Sequence, residues 1–257
     1  MMRQARLFSV VLLLAGLASG SAVAAAEPED SGARALSILK KSADFVSNVK
    51  HFRLHAELAY DAVQGDGETL EFGATRMITV RRPDRIYAEG QRRDGHKTRL
   101  YFNGQEATLY DVDQNVYAAA RIPGTLDTML DYLIDRIGVP APLADLSYSD
   151  LYTVMSEKIE TGFHIGPSTI SGVACQHLAF QYTDADWQIW IEDGDQPLPR
   201  RIVITYKTFP GSPQFRANLI DWDLAPKVPD SLFVFERPAG AQQIPFVART
   251  KFEAERP

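Results

Sequence analysis

The chain has 257 residues, 45% hydrophobic and 23% charged, with a formal net charge of −6 at pH 7. That composition excludes a disordered chain and suits one domain with an apolar core. The single cysteine, Cys175, excludes an internal disulfide and a thiolate zinc site, and it reads as a buried, inert thiol on a strand.

Residues 1–26 read as a secretory signal peptide. Arg3 and Arg6 give a basic start, Leu7–Leu17 an apolar run, and Ala22-Val23-Ala24 and Ala24-Ala25-Ala26 offer small-residue cleavage sites. The run is too short to span a bilayer, and no later segment is apolar enough to do so. No cysteine at the cleavage region offers a lipid anchor. The expected product is a soluble periplasmic protein without a transmembrane segment. Removing Arg3 and Arg6 takes the net charge to −8, although residues 76–99 hold eight Lys/Arg against three acids. An exported chain this acidic is a poor partner for nucleic acid.

Ser31 is expected to cap a helix running to about Val49, with Leu36, Leu39, Ala43 and Val46 on one face. The period then changes to two. Phe52, Leu54, Ala56, Leu58 and Tyr60 alternate with polar residues, which marks a half-buried strand. The turn at Gly65-Asp66-Gly67 leads to a second strand, where Phe72, Ala74, Arg76, Ile78 and Val80 share a phase and Pro83 marks the end. Asn103-Gly104 predicts a hairpin between "RLYF" and "QEATLYD", and Asp113-Gln114-Asn115 predicts another turn. From Thr125 the period is helical again, with Leu126, Met129, Leu130, Leu133, Ile134 and Ile137 in one stripe ending at Gly138. A second amphipathic segment is expected over about 143–159. Strands follow at about 161–170, 173–183, 186–193, 200–208, 214–224 and 232–236.

The order is one helix, about five strands, two helices and about six strands. That makes an α+β fold whose long antiparallel sheet of about 11 strands curls into an unclosed barrel. The mid-chain helices interrupt the sheet and are placed to act as a lid over an apolar mouth, although such stripes also serve as plain core. A single domain is expected over 27–240, followed by a tail over 241–257. Candidate cavity or mouth residues are Phe72, Arg76, Ile78, Ile86, Leu100 and Phe102 on the strands. On the helices they are Leu126, Met129, Leu130, Leu133, Ile134 and Ile137. Arg76 is out of place in an apolar phase, so it rings the cavity or meets a buried acid.

Catalytic chemistry has little support. His51, His55, His96, His164 and His177 are scattered, and on a strand His51 and His55 stand about 13 Å apart, too far to share a metal. The acids of "TDADWQIWIEDGD" lack calcium-loop spacing, and no nucleophile elbow or phosphate loop occurs. No cofactor and no metal are expected.

The stretch "MITVRRPDRIYAEG … YFNGQEATLYDVDQNVY" resembles the periplasmic lipoprotein carrier LolA and its relatives. There, a basic residue and an Arg-Pro pair end one strand and a glycine hairpin follows the next. Phe233-Val234-Phe235 with Pro238 and Gly240 repeats the C-terminal pattern of that superfamily. Stretches such as "PGTLDTMLDYL", "WIEDGDQPLPRRIVITYK" and "DWDLAPKVPDSLFVF" resemble a family of predicted periplasmic bacterial proteins, over about 34–240. The resemblance implies an unclosed barrel with an apolar cavity under a helical lid, binding lipid or lipoprotein acyl chains. It makes Arg82, the arginine of the Arg-Pro pair, the candidate latch that holds the lid shut. Ile86 falls where LolA has a cavity-mouth aromatic. A guanidinium suits carbonyls at helix ends, or acids such as Asp127 or Asp131. Arg81 points the other way, while Arg92 and Arg93 read as solvated. The expected function is non-enzymatic lipid or lipoprotein carriage. The alternative is an envelope-stress sensor or assembly module that binds a protein partner.

Overall fold

The structure is a computed structural model that describes residues 28–138 and 143–246. The expected signal peptide and the residues beyond 246 lie outside them. Helix α1 (Pro28–Asn48) opens the fold. Six strands follow: β1 (His51–Val63), β2 (Thr69–Arg81), β3 (Arg85–Arg92), β4 (Lys97–Phe102), β5 (Glu106–Asp111) and β6 (Val116–Arg121). Next come α2 (Leu126–Asp131), a π-helical turn (Tyr132–Ile137), a 3-10 turn (Ala144–Ser147) and α3 (Leu151–Ser156). The chain closes with β7 (Thr161–Ile170), β8 (Val173–Gln181), β9 (Ala185–Glu192), β10 (Pro199–Tyr206), β11 (Gln214–Asp223), a 3-10 turn (Asp230–Phe233) and β12 (Gln242–Gln243).

All twelve strands form one sheet in the order β12-β6-β5-β4-β3-β2-β1-β11-β10-β9-β8-β7. The ends, β12 and β7, do not pair, so the sheet is unclosed, as expected above. Every pairing is antiparallel except the short β12–β6 contact. Strand β1 is the seam, because it joins β2 on one side and β11 on the other and so unites the two halves of the chain. Across the concave face Leu54, Ile78, Ala88, Leu100 and Leu109 stand opposite one another, as do Phe52, Val80, Ile86, Phe102 and Ala107. Residues opposite each other in register share a face, so this side is apolar along five strands. Helix α1 packs against β7 and α3, and its buried Ala35, Leu39, Ala43 and Val46 belong to the same core.

Several expectations need correction. Ser31 lies inside α1, and its hydroxyl instead accepts from His164 N (3.0 Å) and donates to His164 O (3.3 Å), which shields an edge strand's backbone. The second mid-chain segment is a 3-10 turn and a six-residue helix rather than one helix over 143–159. The strand expected over 232–236 is a 3-10 turn that seats fully buried Phe233, while Phe235 packs among Tyr101, Tyr110 and Tyr117. Gln242 and Gln243 join the sheet beyond the boundary expected at 240. Cys175 is buried, and burial raises the pKa of its thiol.

Near its far end the seam is stapled by Asp61. Its carboxylate accepts from Arg216 Nη1 (2.8 Å) and Nη2 (3.0 Å) and from Gln214 N (3.0 Å). The Arg216 hydrogen bond holds the Asp61 pKa below its ordinary 3.8. A depressed carboxylate stabilises the fold above the unfolded value, and that stabilisation disappears as pH falls through the folded one. Asp61→Asn should therefore lose about 2 kcal/mol of stability in urea unfolding at pH 7. The gap to the native protein should narrow by pH 3.

Candidate functional site

The lid sits on the concave face near the ends of β2 and β3. Thr125 caps α2 by accepting from Thr128 N at 3.4 Å, and Leu126 N donates to Pro83 O at 2.9 Å, which ties the first lid turn to the β2–β3 connection. The apolar stripe then faces the sheet, where Leu126, Met129, Leu130, Leu133 and Ile137 are buried and Ile134 packs half-buried against the core. The two lid segments are pinned together by acids of α2. Asp131 accepts from Tyr148 Oη (2.8 Å), and Asp127 accepts from Ser149 N (2.9 Å) and from the Ser149 hydroxyl.

Arg82 stands where α1, β2 and the lid meet. Its Nε donates to Val49 O (3.2 Å), and Nη2 donates to Leu146 O (3.1 Å) and Val46 O (3.5 Å). Nη1 donates to Ser147 O at 2.5 Å, and the guanidinium lies 5.9 Å from the centre of the Phe52 ring. Val46 lies in the last turn of α1 and Val49 just beyond it, where helix carbonyls lack intrahelical donors and attract a cation. Leu146 and Ser147 end the 3-10 turn of the lid. The partners of Arg82 are thus main-chain carbonyls of two elements, while Asp127 contributes only a longer-range attraction.

The sequence-derived candidates divide cleanly. Ile78, Ile86, Phe102 and the helical stripe come together in one buried cluster, with Leu100 half-buried beside it. Ile86 is a core residue, 3% exposed. Phe72 is not part of this site. It is 45% exposed and stacks only on Tyr60, because β2 gains its second neighbour, β3, from Ala74 onward. Arg76 is half-buried on the concave face, opposite Ala56 and Gly90.

Sequence reasoning missed Asp145, in the 3-10 turn of the lid. Burial pushes its carboxyl up to about 6. The phenols of Tyr148, Tyr182 and Tyr206 lie within its electrostatic reach. A lone Asp in a polar stretch carries no sequence signal for this. His96 lies between Asp111 (3.2 Å) and Asp113 (3.4 Å). Those three side chains could hold a cation by proximity, but both acids already serve the turn. Asp111 accepts from Asp113 N and Gln114 N, and Asp113 accepts from Lys97 N.

Comparison with known proteins places the family. A profile described as "predicted periplasmic protein (DUF2092)" matches residues 35–247, and the chain belongs to that family. The protein is accordingly periplasmic, as expected, and no helix among the described residues is long and apolar enough to cross a membrane. No curated protein matches the chain. Among solved structures, the lipoprotein LppX of Mycobacterium tuberculosis is 13% identical with a TM-score of 0.46, covering 77% of this chain and 99% of that one. The MucA/MucB complex of Pseudomonas aeruginosa gives 12% and 0.44, covering 79% of this chain and 61% of that one. A putative outer membrane lipoprotein-sorting protein domain from Vibrio parahaemolyticus gives 11% and 0.34, covering 76% and 92%.

Two predictions follow from the lid geometry. Arg82→Leu should keep the fold but speed amide exchange across 126–156 by about 10-fold or more, the equivalent of losing 1–3 kcal/mol of charge-assisted bonding. Unchanged exchange there would reduce Arg82 to a strand-end charge. The second concerns pH. A carboxyl with a raised pKa in the closed state penalises closure once ionised, so the penalty grows from about pH 4 to pH 6 and is constant above. Lid protection, corrected for intrinsic exchange, should therefore rise as pH falls from 7.5 to 5. Asp145→Asn should remove that dependence.

Proposed function

We propose that this protein is a non-enzymatic periplasmic binder or carrier for a lipid, an acyl chain or a lipidated protein, held on the apolar concave face under the lid. One observation carries the reading. The two inward rows of β1–β5 nearest Arg82 are apolar, yet Ala88 and Leu100 there, and Tyr60 further along β1, keep accessible surface beside the residues that the lid buries. A sheet face that is apolar but incompletely covered accepts an apolar guest. Besides its buried apolar stripe, the lid is tied to its surroundings mostly by main-chain bonds, from Arg82 to Leu146 O and Ser147 O, from Leu126 N to Pro83 O, from the Tyr182 hydroxyl to Met155 O and from Leu151 N to the Ser47 hydroxyl. Such bonds exchange with water when the lid opens, and burial of the guest offsets the loss. The histidines support the non-enzymatic reading, since His164 and His177 bond amide side chains of neighbouring strands, Gln176 and Gln188.

A second reading, a module for an envelope protein partner, rests on edge strand β7. Phe163 and Ile165 there are 36% and 59% exposed. An exposed apolar edge favours strand addition by another chain.

Burying an acyl chain is worth ~0.8 kcal/mol per CH₂, so a chain of about 14 carbons offers on the order of 10 kcal/mol before ordering costs. A fluorescent hexadecanoyl probe should bind saturably with a Kd in the micromolar range or below. Arg82→Leu should change its dissociation rate more than its association rate. If the probe never binds and a partner protein protects β7 from exchange, the second reading replaces the first.

A further inference from the structure

Arg76 is the feature that the lid-and-cavity account leaves unexplained. It stands on the concave face, in register with Ala56 of β1 and Gly90 of β3, and Gly90 is in turn opposite Thr98 of β4. Among the described residues it is the arginine that is not exposed and yet has neither an ion pair nor a hydrogen bond. Arg53, Arg81, Arg82, Arg85, Arg99, Arg200, Arg201 and Arg216 are half-buried and all partnered. An arginine cannot shed its proton to escape this. A guanidinium drawn out of water without an acceptor is costly, and burial disfavours its charged form here.

The stem packs on apolar neighbours and the head keeps limited contact with water. What sets it apart is where the head is held. The guanidinium lies across Gly90, so that a Cβ at that position would fall 1.4 Å from Nη1. The missing side chain at Gly90 is what gives the cation its place, and glycine inside a strand marks a close approach of this kind. The neighbouring inward positions Ala56, Leu58, Ala74 and Ala88 are apolar, while Thr98 and Asp111 continue the row of Arg76 across β4 and β5. In the next row toward the lid, beside buried Ile78, Ala88 and Leu100 belong to the incompletely covered surface described above. Arg82 is six residues further on, about 20 Å along an extended chain.

We propose that Arg76 is the head-group subsite of this binding face, and that the ligand is an anionic amphiphile, with a carboxylate or phosphate on Arg76 and its apolar tail directed toward the lid. This rests on the acyl-binding reading and narrows it to a chemical class. A planar fork of donors matches an oxyanion in a bidentate arrangement, and the apolar surroundings strengthen that pairing. A neutral lipid would leave the cation unpaired.

The test compares ligands of one tail length on the purified protein at pH 7.5, by calorimetry or probe displacement. The ligands are hexadecanoic acid, hexadecyl phosphate and hexadecanol, with inorganic phosphate as the tail-free control. The acid and the phosphate ester should bind at least ten-fold more tightly than the alcohol. Inorganic phosphate should not compete. Arg76→Gln should level the three tailed ligands while leaving hexadecanol affinity unchanged. Gly90→Ala keeps the charge but displaces the guanidinium, so it should weaken the two anions selectively, and it serves if Arg76→Gln fails to fold. Equal binding of acid, ester and alcohol by the native protein would overturn the head-group inference and leave the acyl reading intact. Displacement by inorganic phosphate alone would overturn the amphiphile class. Binding of none of them would remove both.

Discussion

The junction of helix, sheet and mid-chain segment centres on a single cation placed where three elements end. Helix α1 finishes with the carbonyls of Val46, which also accepts from Val49 N, and of Val49; β2 finishes at Arg81, and the 3-10 turn of the mid-chain segment presents two more carbonyls. Arg82 answers four of these acceptors at once. Lysine could not do so, because a point charge on a flexible stem lacks the fixed fork that spans separate acceptors. Main-chain acceptors also suit a switch. They carry no net charge to trap the cation, so water can replace them under the lid opening proposed above.

The sheet gives that junction its leverage. Strand β1 is thirteen residues long and pairs along its length with β2, while β11 covers its other edge. The two halves of the chain therefore share one seam but do different work. Helix α1 packs on the β7 side and fills the concavity there. On the β2–β5 side the filling is the lid, made of short pieces joined by side-chain bonds such as Asp131 to Tyr148. A lid built from six-residue segments has little intrinsic helical stability. It holds its shape through burial of Leu126, Met129 and Leu130 and through bonds such as those of Arg82.

Much of this was legible in the sequence, and the reasons differ by element. Period-two alternation in β1 and β2 states which residues face inward, and between neighbouring strands those positions are buried, except for half-buried Tyr60 and Arg76. Phe72 broke the rule because alternation reports a phase and says nothing of how far the next strand extends. The Arg82 contact was anticipated in kind, since guanidinium and helix-end carbonyls are matched by chemistry. Its sharing with α1 was not, because that requires knowing that two helices end at one point. The segment 143–159 misled because a helical stripe survives in the sequence when Tyr148-Ser149-Asp150 interrupts the helix. Phe233 and Phe235 alternate as a strand would, yet Phe233 is buried in a turn beneath Arg81 and Phe235, just after it, packs among three tyrosines. Asp145 carried no signal at all, since its burial comes from tertiary packing.

The basic stretch 76–99 acquires its meaning only from what faces each residue. Arg92 and Arg93 pair with Asp94 and Glu71 at the exposed end of the sheet, and Arg99 pairs with Glu89. Arg81, on the convex side, meets Asp230 and lies over the ring of Phe233, so it anchors the C-terminal segment. Arg76 and Arg82, six residues apart, are the two that turn toward the apolar interior. Arg82 finds fixed carbonyls there and becomes part of the fold. Arg76 finds Gly90, a space, and no acceptor among the described residues. Two cations at opposite ends of one apolar trough, one satisfied by the protein and one not, give the trough a direction. An elongated guest that is charged at one end can complete the second cation without disturbing the first, and it can enter in only one orientation.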